Sequence, residues 1–248
     1  MVLNLTKESL LLDFYMSTMI GTFGIVSNIF NIIVSSRSKI QEITTMGFFN
    51  VSLSCVNIFA IVFVYYLMIF PQSIGKSDLM STSIYACLLI PFFARVLVLV
   101  SYWLNVLISY DRICIFDAHY RTHFINNRKH LRLLLLVIFF VACLVTVPNL
   151  LFHLEYQTQF DSSLNSTHTI TICTSSNLIQ TLRDASAAVF LIVLPIFLQT
   201  TLNIILIKRL FKHRKNRDPT LKKEKTFSFT ILVFNIVFLS VNYPISFV

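Results

Sequence analysis

Residues 84–115 read IYACLLIPFFARVLVLVSYWLNVLISYDRICI, and the fold follows from how this stretch is read. It is apolar almost throughout, with Cys87 near its start and Asp111-Arg112 at its end. Coiled as a helix, the twenty-five steps from Cys87 to Arg112 cover about 37 Å, at about 1.5 Å per residue. The hydrocarbon core of a bilayer is about 30 Å thick. A thiol therefore falls at one membrane face and an acid–arginine pair at the other.

Five more stretches of this kind lie at residues of about 12–34, 46–70, 131–152, 184–208 and 226–248, so the chain is read as six spans. Its composition agrees. Of 248 residues, 56% are hydrophobic and 12% charged, whereas a soluble domain carries about 25% charged residues. No period-2 alternation dominates the spans, so they are helices and not barrel strands. The expected fold is an all-α, polytopic transmembrane helical bundle. Residues 1–248 form one domain, because six helices in lipid have only each other to pack against. The first ten residues are polar and of mixed charge, and no small-residue cleavage site follows the first apolar run. The first helix is then its own signal anchor.

Charge sets the expected orientation. The net charge is +9, and its placement matters more than its size. Arg37 and Lys39 follow span 1. Arg121, Arg128, Lys129 and Arg132 follow span 3. Lys208, Arg209, Lys212, Arg214, Lys215, Arg217, Lys222, Lys223 and Lys225 lie between spans 5 and 6. The alternate loops hold only Lys76 and Arg183, and the N-terminus adds Lys7. Loops rich in Lys and Arg stay cytoplasmic, which puts the N-terminus outside. The run Lys212-His213-Arg214-Lys215 also fits a nucleic-acid patch. Between two spans it is read as a topology determinant beside anionic lipid, and no nucleic-acid partner is expected.

This orientation places the sequons at Asn4 and Asn165 outside, where glycosylation is possible. Asn50-Val51-Ser52 has the same pattern but lies inside span 2. Cys55, Cys114 and Cys143 fall within or at the ends of spans, as small apolar packers. Cys87 and Cys173 are both extracellular by the charge argument, in an oxidising compartment. Either they bridge the loop after span 4 to the outer end of span 3, or they are two unrelated thiols.

Several motifs occur together in a fixed order. They are Asn28 in Val26-Ser27-Asn28; Leu53-Ser54 with Asn57; Tyr110-Asp111-Arg112-Ile113-Cys114; Pro195 in span 5; and Phe238 six residues before Pro244 in span 6. In order and spacing the chain resembles a rhodopsin-like G-protein-coupled receptor over nearly its whole length. The interval from Cys87 to Arg112 equals the family's own. Glu224, twenty residues before Pro244, falls where many members place an acid that pairs with the span-3 arginine. The resemblance implies a seven-helix receptor fold, of which six spans lie in these residues. It also implies an extracellular ligand, a heterotrimeric G protein, a lipid membrane and a plasma-membrane location. Tyr102, Pro195 and Phe238, with Pro244, resemble the family's connector between ligand pocket and cytoplasmic mouth. Asn28 and Asn57 resemble its polar core.

The departures are also specific. Asn57 stands where the family usually has Asp, which puts its sodium site in doubt. Ile113 replaces a Tyr, Asn242 the span-6 Trp and Asn203 a span-5 Tyr. The span-4 Trp is missing, since Trp103 is the only Trp in the chain. The sequence ends at Val248 within span 6, and the expectation is a truncated product whose complete form carries one more apolar span of about 20 residues.

Ionisable groups in a span are costly and mark function. Arg112 is open to two readings: a latch held by Asp111 and Glu224, which lets span 6 move outward when it breaks, or an interfacial arginine snorkelling to headgroups. Pro195 and Pro244 remove backbone hydrogen bonds and permit kinks, with or without a signalling role. Phe238 read alone is core. Arg95 lies two turns inside Cys87, roughly 12 Å down the helix. It either snorkels outward or faces a ligand pocket, where it suits a carboxylate. No Asp stands at that level, beside Ala94 and Arg95, which argues against an amine and leaves a peptide as the expected ligand.

Enzyme chemistry finds no support. The four glycines are widely spread, and neither H-E-x-x-H nor G-x-S-x-G occurs. His119, His123, His130 and His213 lie in basic loops, so no metal or cofactor is expected. The competing functions are a six-span transporter or channel subunit, and a non-signalling pseudo-receptor. A transporter should show repeat symmetry, and a channel should show rings of charge or carbonyls; neither pattern is present.

Overall fold

The computed structural model describes residues 2–37, 45–69, 79–116, 128–161 and 166–212. Helix α1 is Val2–Arg37. Helix α2 is Thr45–Ile61 and runs on as a wider π-helical stretch, Val62–Ile69. A single 3₁₀ turn, Leu79–Ser81, leads into α3, Ile84–Phe116. Helix α4, Arg128–Thr146, tightens into 3₁₀ at Val147–Leu151. Strands β1 (His153–Asp161) and β2 (Ser166–Thr174) follow. The fifth span is built from α5 (Asn177–Ala187), a π stretch at Ala188–Val193, and α6 (Leu194–Lys212). Among the described residues five helices are long and apolar enough to cross a membrane. Span 6, with Glu224, Phe238, Asn242 and Pro244, lies outside the described residues.

Helix α3 is the hub. Phe92, Val96, Leu99, Val100, Leu104 and Ile108 recur at steps of three and four residues and form most of the buried core, closed by Phe49 of α2 and by Leu131 and Ala142 of α4. The recurrence places them on one helix stripe, and neighbours cover that stripe from several sides. The peripheral helices are built the other way round. Leu133, Leu136, Phe139 and Phe140 on α4, and Ile20, Phe23 and Phe30 on α1, point away from the bundle. An outward apolar face of this size is a liability in water and matches the lipid solvent of a bilayer.

Helix α1 meets the second span closely at two glycines, Gly24 against Ile61 and Gly21 against Tyr65. A Cβ on Gly21 would lie 2.8 Å from a ring carbon of Tyr65, and the Thr18 and Tyr65 hydroxyls are hydrogen-bonded across the same contact. The small residue lets the two backbones approach, as at many helix interfaces in lipid.

Three features differ from the sequence reading. The first helix begins at Val2, so Asn4 sits in α1 and not in an irregular N-terminal tail; at 36 residues it is about 54 Å long and exceeds the hydrocarbon. The fifth span begins at Asn177 and not at 184, because Gln180, Thr181 and Arg183 lower hydropathy without opposing helix. The loop after span 4 is a hairpin, with β1 antiparallel to β2 and Leu154 paired with Cys173. The alternation in Thr167-His168-Thr169-Ile170-Thr171-Ile172 is the period-2 signal for β2.

The contact at Gly21 predicts that Gly21→Val pushes α1 from α2. The expected loss is about 1–3 kcal/mol, as for other overpacked sites, read as a lower thermal midpoint in detergent. An unchanged midpoint would mean that the Tyr65 ring simply turns aside.

Candidate functional site

The N-terminal end of α3 is tied down covalently. Cys87 and Cys173 are bonded, with their Cα atoms 5.6 Å apart, so the hairpin is held over the mouth of the bundle. Closing an 86-residue interval removes chain entropy worth up to about 4.6 kcal/mol. Pro91, one turn on, has no N–H to give the Cys87 carbonyl, and that oxygen lies 3.4 Å from the Cys173 sulfur. The sulfur is oxidised and has no proton to donate, so this is a packing contact.

Beneath the hairpin is a cavity of about 340 Å³, lined by Met68, Pro91, Arg95, Asn149, Phe152 and Arg183 among others. Arg95 faces it but is not a lone cation. Its guanidinium lies 3.7 Å from Asp184 Oδ1, an ionic contact too long for a hydrogen bond. Arg183 Nε donates to that same oxygen at 2.8 Å, and Arg95 donates a long bond, 3.5 Å, to the Arg183 carbonyl. The Arg183 guanidinium carbon is 5.1 Å from the centre of the Phe152 ring, within cation–π range. Sequence reasoning missed Arg183 and Asp184 as site residues because both lie in the polar first turns of α5, at or before the hydropathy boundary.

Deeper, Asn28 and Asn57 are joined. Asn57 Nδ2 donates to Asn28 Oδ1 at 3.4 Å, and the Ser101 hydroxyl donates to Asn57 Oδ1 at 2.6 Å. Asn28 Nδ2 bonds to the Gly24 carbonyl at 2.7 Å, and Asn31 reaches Ser54 at 2.7 Å. Neutral amides and hydroxyls thus tie α1, α2 and α3 together. Ser101 and Asn31 carried no signal in the sequence, since an isolated polar residue in a span reads alike whether it bonds its own helix or a neighbour.

At the C-terminal end of α3, Asp111 and Arg112 are each 3% exposed. An arginine snorkelling to headgroups would be open to its surroundings; Arg112 is enclosed. Ile113 packs with Leu206 of α6. Along α6, Pro195 is buried, as are Gln199 and Asn203. Neither amide atom of Gln199 has a hydrogen-bond partner among the described residues. The π stretch Ala188–Val193 ends where the Leu194 N–H bonds to the Val189 carbonyl, five residues back. It lies directly before Pro195, whose ring would clash in a regular helix. Tyr102 is half-buried on α3. Glu224, Phe238 and Pro244 lie outside the described residues, as does Asn165. Among the described residues no cluster of His, Cys, Asp or Glu could hold a metal.

A cavity under a disulfide-pinned hairpin, a polar bundle core and an enclosed acid–arginine pair at the opposite end of one helix define a polytopic membrane receptor. The chain matches the seven-transmembrane receptor model of the rhodopsin family over residues 27–248, and it belongs to that family. No curated protein matches it.

Two outcomes follow. Peptide mapping of the unreduced protein is expected to give one cross-linked Cys87–Cys173 species, and two alkylatable thiols would contradict the bridge. Asn57→Leu is expected to strand the Ser101 hydroxyl and the Asn28 amide, costing about 1–2 kcal/mol in thermal unfolding, since interhelical hydrogen bonds in lipid are worth about 0.6 kcal/mol on average and up to about 1.7. A stability equal to the parent's would remove the network from the account.

Proposed function

We propose that this single-domain chain signals from the plasma membrane with its N-terminus outside. It takes an extracellular ligand, a peptide, in the cavity beneath the hairpin and activates a heterotrimeric G protein at the inner end of α3. The observation that carries this reading is the enclosure of Asp111 and Arg112 on the same helix that supplies Arg95 to the cavity. The two arginines are seventeen residues apart, about 26 Å along one helix. A ligand that shifts α3 or α6 at the outer end therefore acts on the inner end through packed helices and not through a loop.

Glu224 is proposed to hold Arg112 from span 6, with Asp111 beside it. Span 6 then swings outward once the ion pair opens and exposes a cavity for the G protein. Pro195, Tyr102, Phe238 and Pro244 are proposed to carry the shift. The π stretch before Pro195 supports this, because such stretches are irregular places in a helix where register can change. The bridging of Asn57 by Ser101 and Asn28 supports a core that closes on neutral hydrogen bonds in place of a bound cation. The basic inner loops support the stated orientation and contact with anionic lipid. The sequons at Asn4 and Asn165 would then face the extracellular side.

The test needs no known ligand. Glu224→Ala is expected to raise basal nucleotide exchange on a co-expressed G protein, since freeing one charged hydrogen bond is worth about 1–3 kcal/mol. Adding Arg112→Ala should abolish the increase. Equal basal exchange in parent and Glu224→Ala membranes, at matched surface expression, would leave the latch without support.

A further inference from the structure

Two arginines of the cavity wall, Arg95 and Arg183, share one acid beside it, Asp184. Asp184 Oδ1 receives Arg183 Nε at 2.8 Å and lies 3.7 Å from Arg95, so one carboxylate oxygen serves two guanidiniums. The three side chains are not equally held. Arg95 and Arg183 are 29% and 24% exposed, whereas Asp184 is 59% exposed. The arginines are fixed parts of the wall: Arg183 is backed by the Phe152 ring, and Arg95 rises from the most enclosed of the five described spans. The acid is the open member of the three. Arginine keeps its charge in any such setting, so the trio leaves one net positive charge facing the cavity.

A second polar atom completes the pattern. Asn149 is 1% exposed and lines the same cavity. Its Nδ2 donates to the Thr146 carbonyl at 2.9 Å, but its Oδ1 has no hydrogen-bond partner among the described residues. A buried carbonyl oxygen left in this state carries a desolvation penalty that a ligand N–H or O–H removes. The wall therefore offers two guanidiniums to an anion, and Asn149, which lines the same cavity, holds an unpartnered acceptor just beneath that surface.

We propose that Asp184 is a built-in stand-in for the ligand. It occupies the Arg95–Arg183 clamp in the empty receptor and is displaced by an incoming carboxylate whose neighbouring N–H bonds to Asn149 Oδ1. The ligand is thus an N-acylated amino acid by chemistry, whether free or at the end of a peptide with an unblocked C-terminus. Met68, Pro91 and Phe152 receive its apolar body. The competition keeps the clamp from gripping small inorganic anions: chloride offers neither the bidentate geometry of a carboxylate nor a donor for Asn149. This inference rests on the receptor reading above for its biological meaning, but its chemistry is tested without any signal.

The experiment is thermal unfolding of the purified full chain in detergent micelles, titrated with N-acetyl-phenylalanine and with the matched uncharged N-acetyl-phenylalaninamide. A ligand that binds only the folded state raises the midpoint with concentration. The acid is expected to raise it and the amide to leave it unchanged. Arg95→Gln and Arg183→Gln should each abolish the rise. Asp184→Asn should bind the acid about two- to five-fold more tightly, the scale of removing a partly exposed ion pair; Asp184→Ser is the second variant should the first not fold. 3-Phenylpropanoate, which lacks the N–H, should bind several-fold more weakly than N-acetyl-phenylalanine to the parent but not to Asn149→Leu. Equal shifts with acid and amide, or weaker acid binding in both Asp184 variants, would overturn the proposal. A tetrapeptide ending in free phenylalanine that binds at least as tightly as the single residue supports the clamp and assigns it to peptide ends. Binding of the single residue alone supports the clamp and assigns it to free acids. Stabilisation by the acid with no change in nucleotide exchange sustains the clamp and counts against the receptor reading of this cavity. Exchange that responds to ligand but never to a carboxylate sustains the receptor and overturns the clamp.

Discussion

Inside hydrocarbon a polar group has no water to turn to, and each one must find a partner within the protein. That single constraint organises the molecule. It forces the spans into helices, because only a helix satisfies its backbone within its own segment. It also explains why the few polar side chains at depth meet across helix boundaries: Asn57 takes a bond from Ser101 on α3 and gives one to Asn28 on α1, and Asn31 reaches Ser54 on α2. These contacts specify which faces of α1, α2 and α3 touch. Apolar packing alone is a weak guide to register in lipid, since the tails outside are as apolar as the side chains inside.

Helix α3 converts this packing into a device with two ends. Its N-terminal end is anchored by Cys87 to the hairpin and contributes Arg95 to the cavity. Its C-terminal end keeps Asp111 and Arg112 enclosed, with the adjoining Ile113 packed on α6. Between them the stripe from Phe92 to Ile108 is buried, so the helix cannot tilt without disturbing its neighbours. The irregular parts lie elsewhere. The π stretches at Val62–Ile69 and Ala188–Val193 fall on the two spans that flank the cavity, where Val64 and Met68 of one and Leu191 of the other form its wall. A stiff centre with adjustable walls is a reasonable construction for a protein that answers to a ligand.

The cavity also shows how the membrane face changes the meaning of a charge. Arg95 read alone in the sequence is an expensive cation in a span. In the structure it shares the largely exposed Asp184 with Arg183. The ion pair does not bury the arginine in neutral isolation; it keeps the arginine in place and ready for exchange.

The sequence by itself determined the class. Length of apolar run, scarcity of charge and the sidedness of Lys and Arg follow from the thickness and polarity of a bilayer, and each is local enough to read from one segment. The positions of Cys87, Asp111, Arg112 and Pro195 were readable for the same reason, since a rare residue in an apolar helix stands out at a countable depth. Only the tertiary structure decided which polar residues meet. Ser101 meets Asn57, and Arg95 meets Arg183 and Asp184, across gaps of sequence, and Asn149 stands at the narrow end of α4, on the same cavity, with no local mark of its role. Hydropathy also misplaced the start of the fifth span, because it measures preference for lipid and not the tendency to coil. A helix can run on into water, and the polar turns that do so here carry two of the three charges in the clamp.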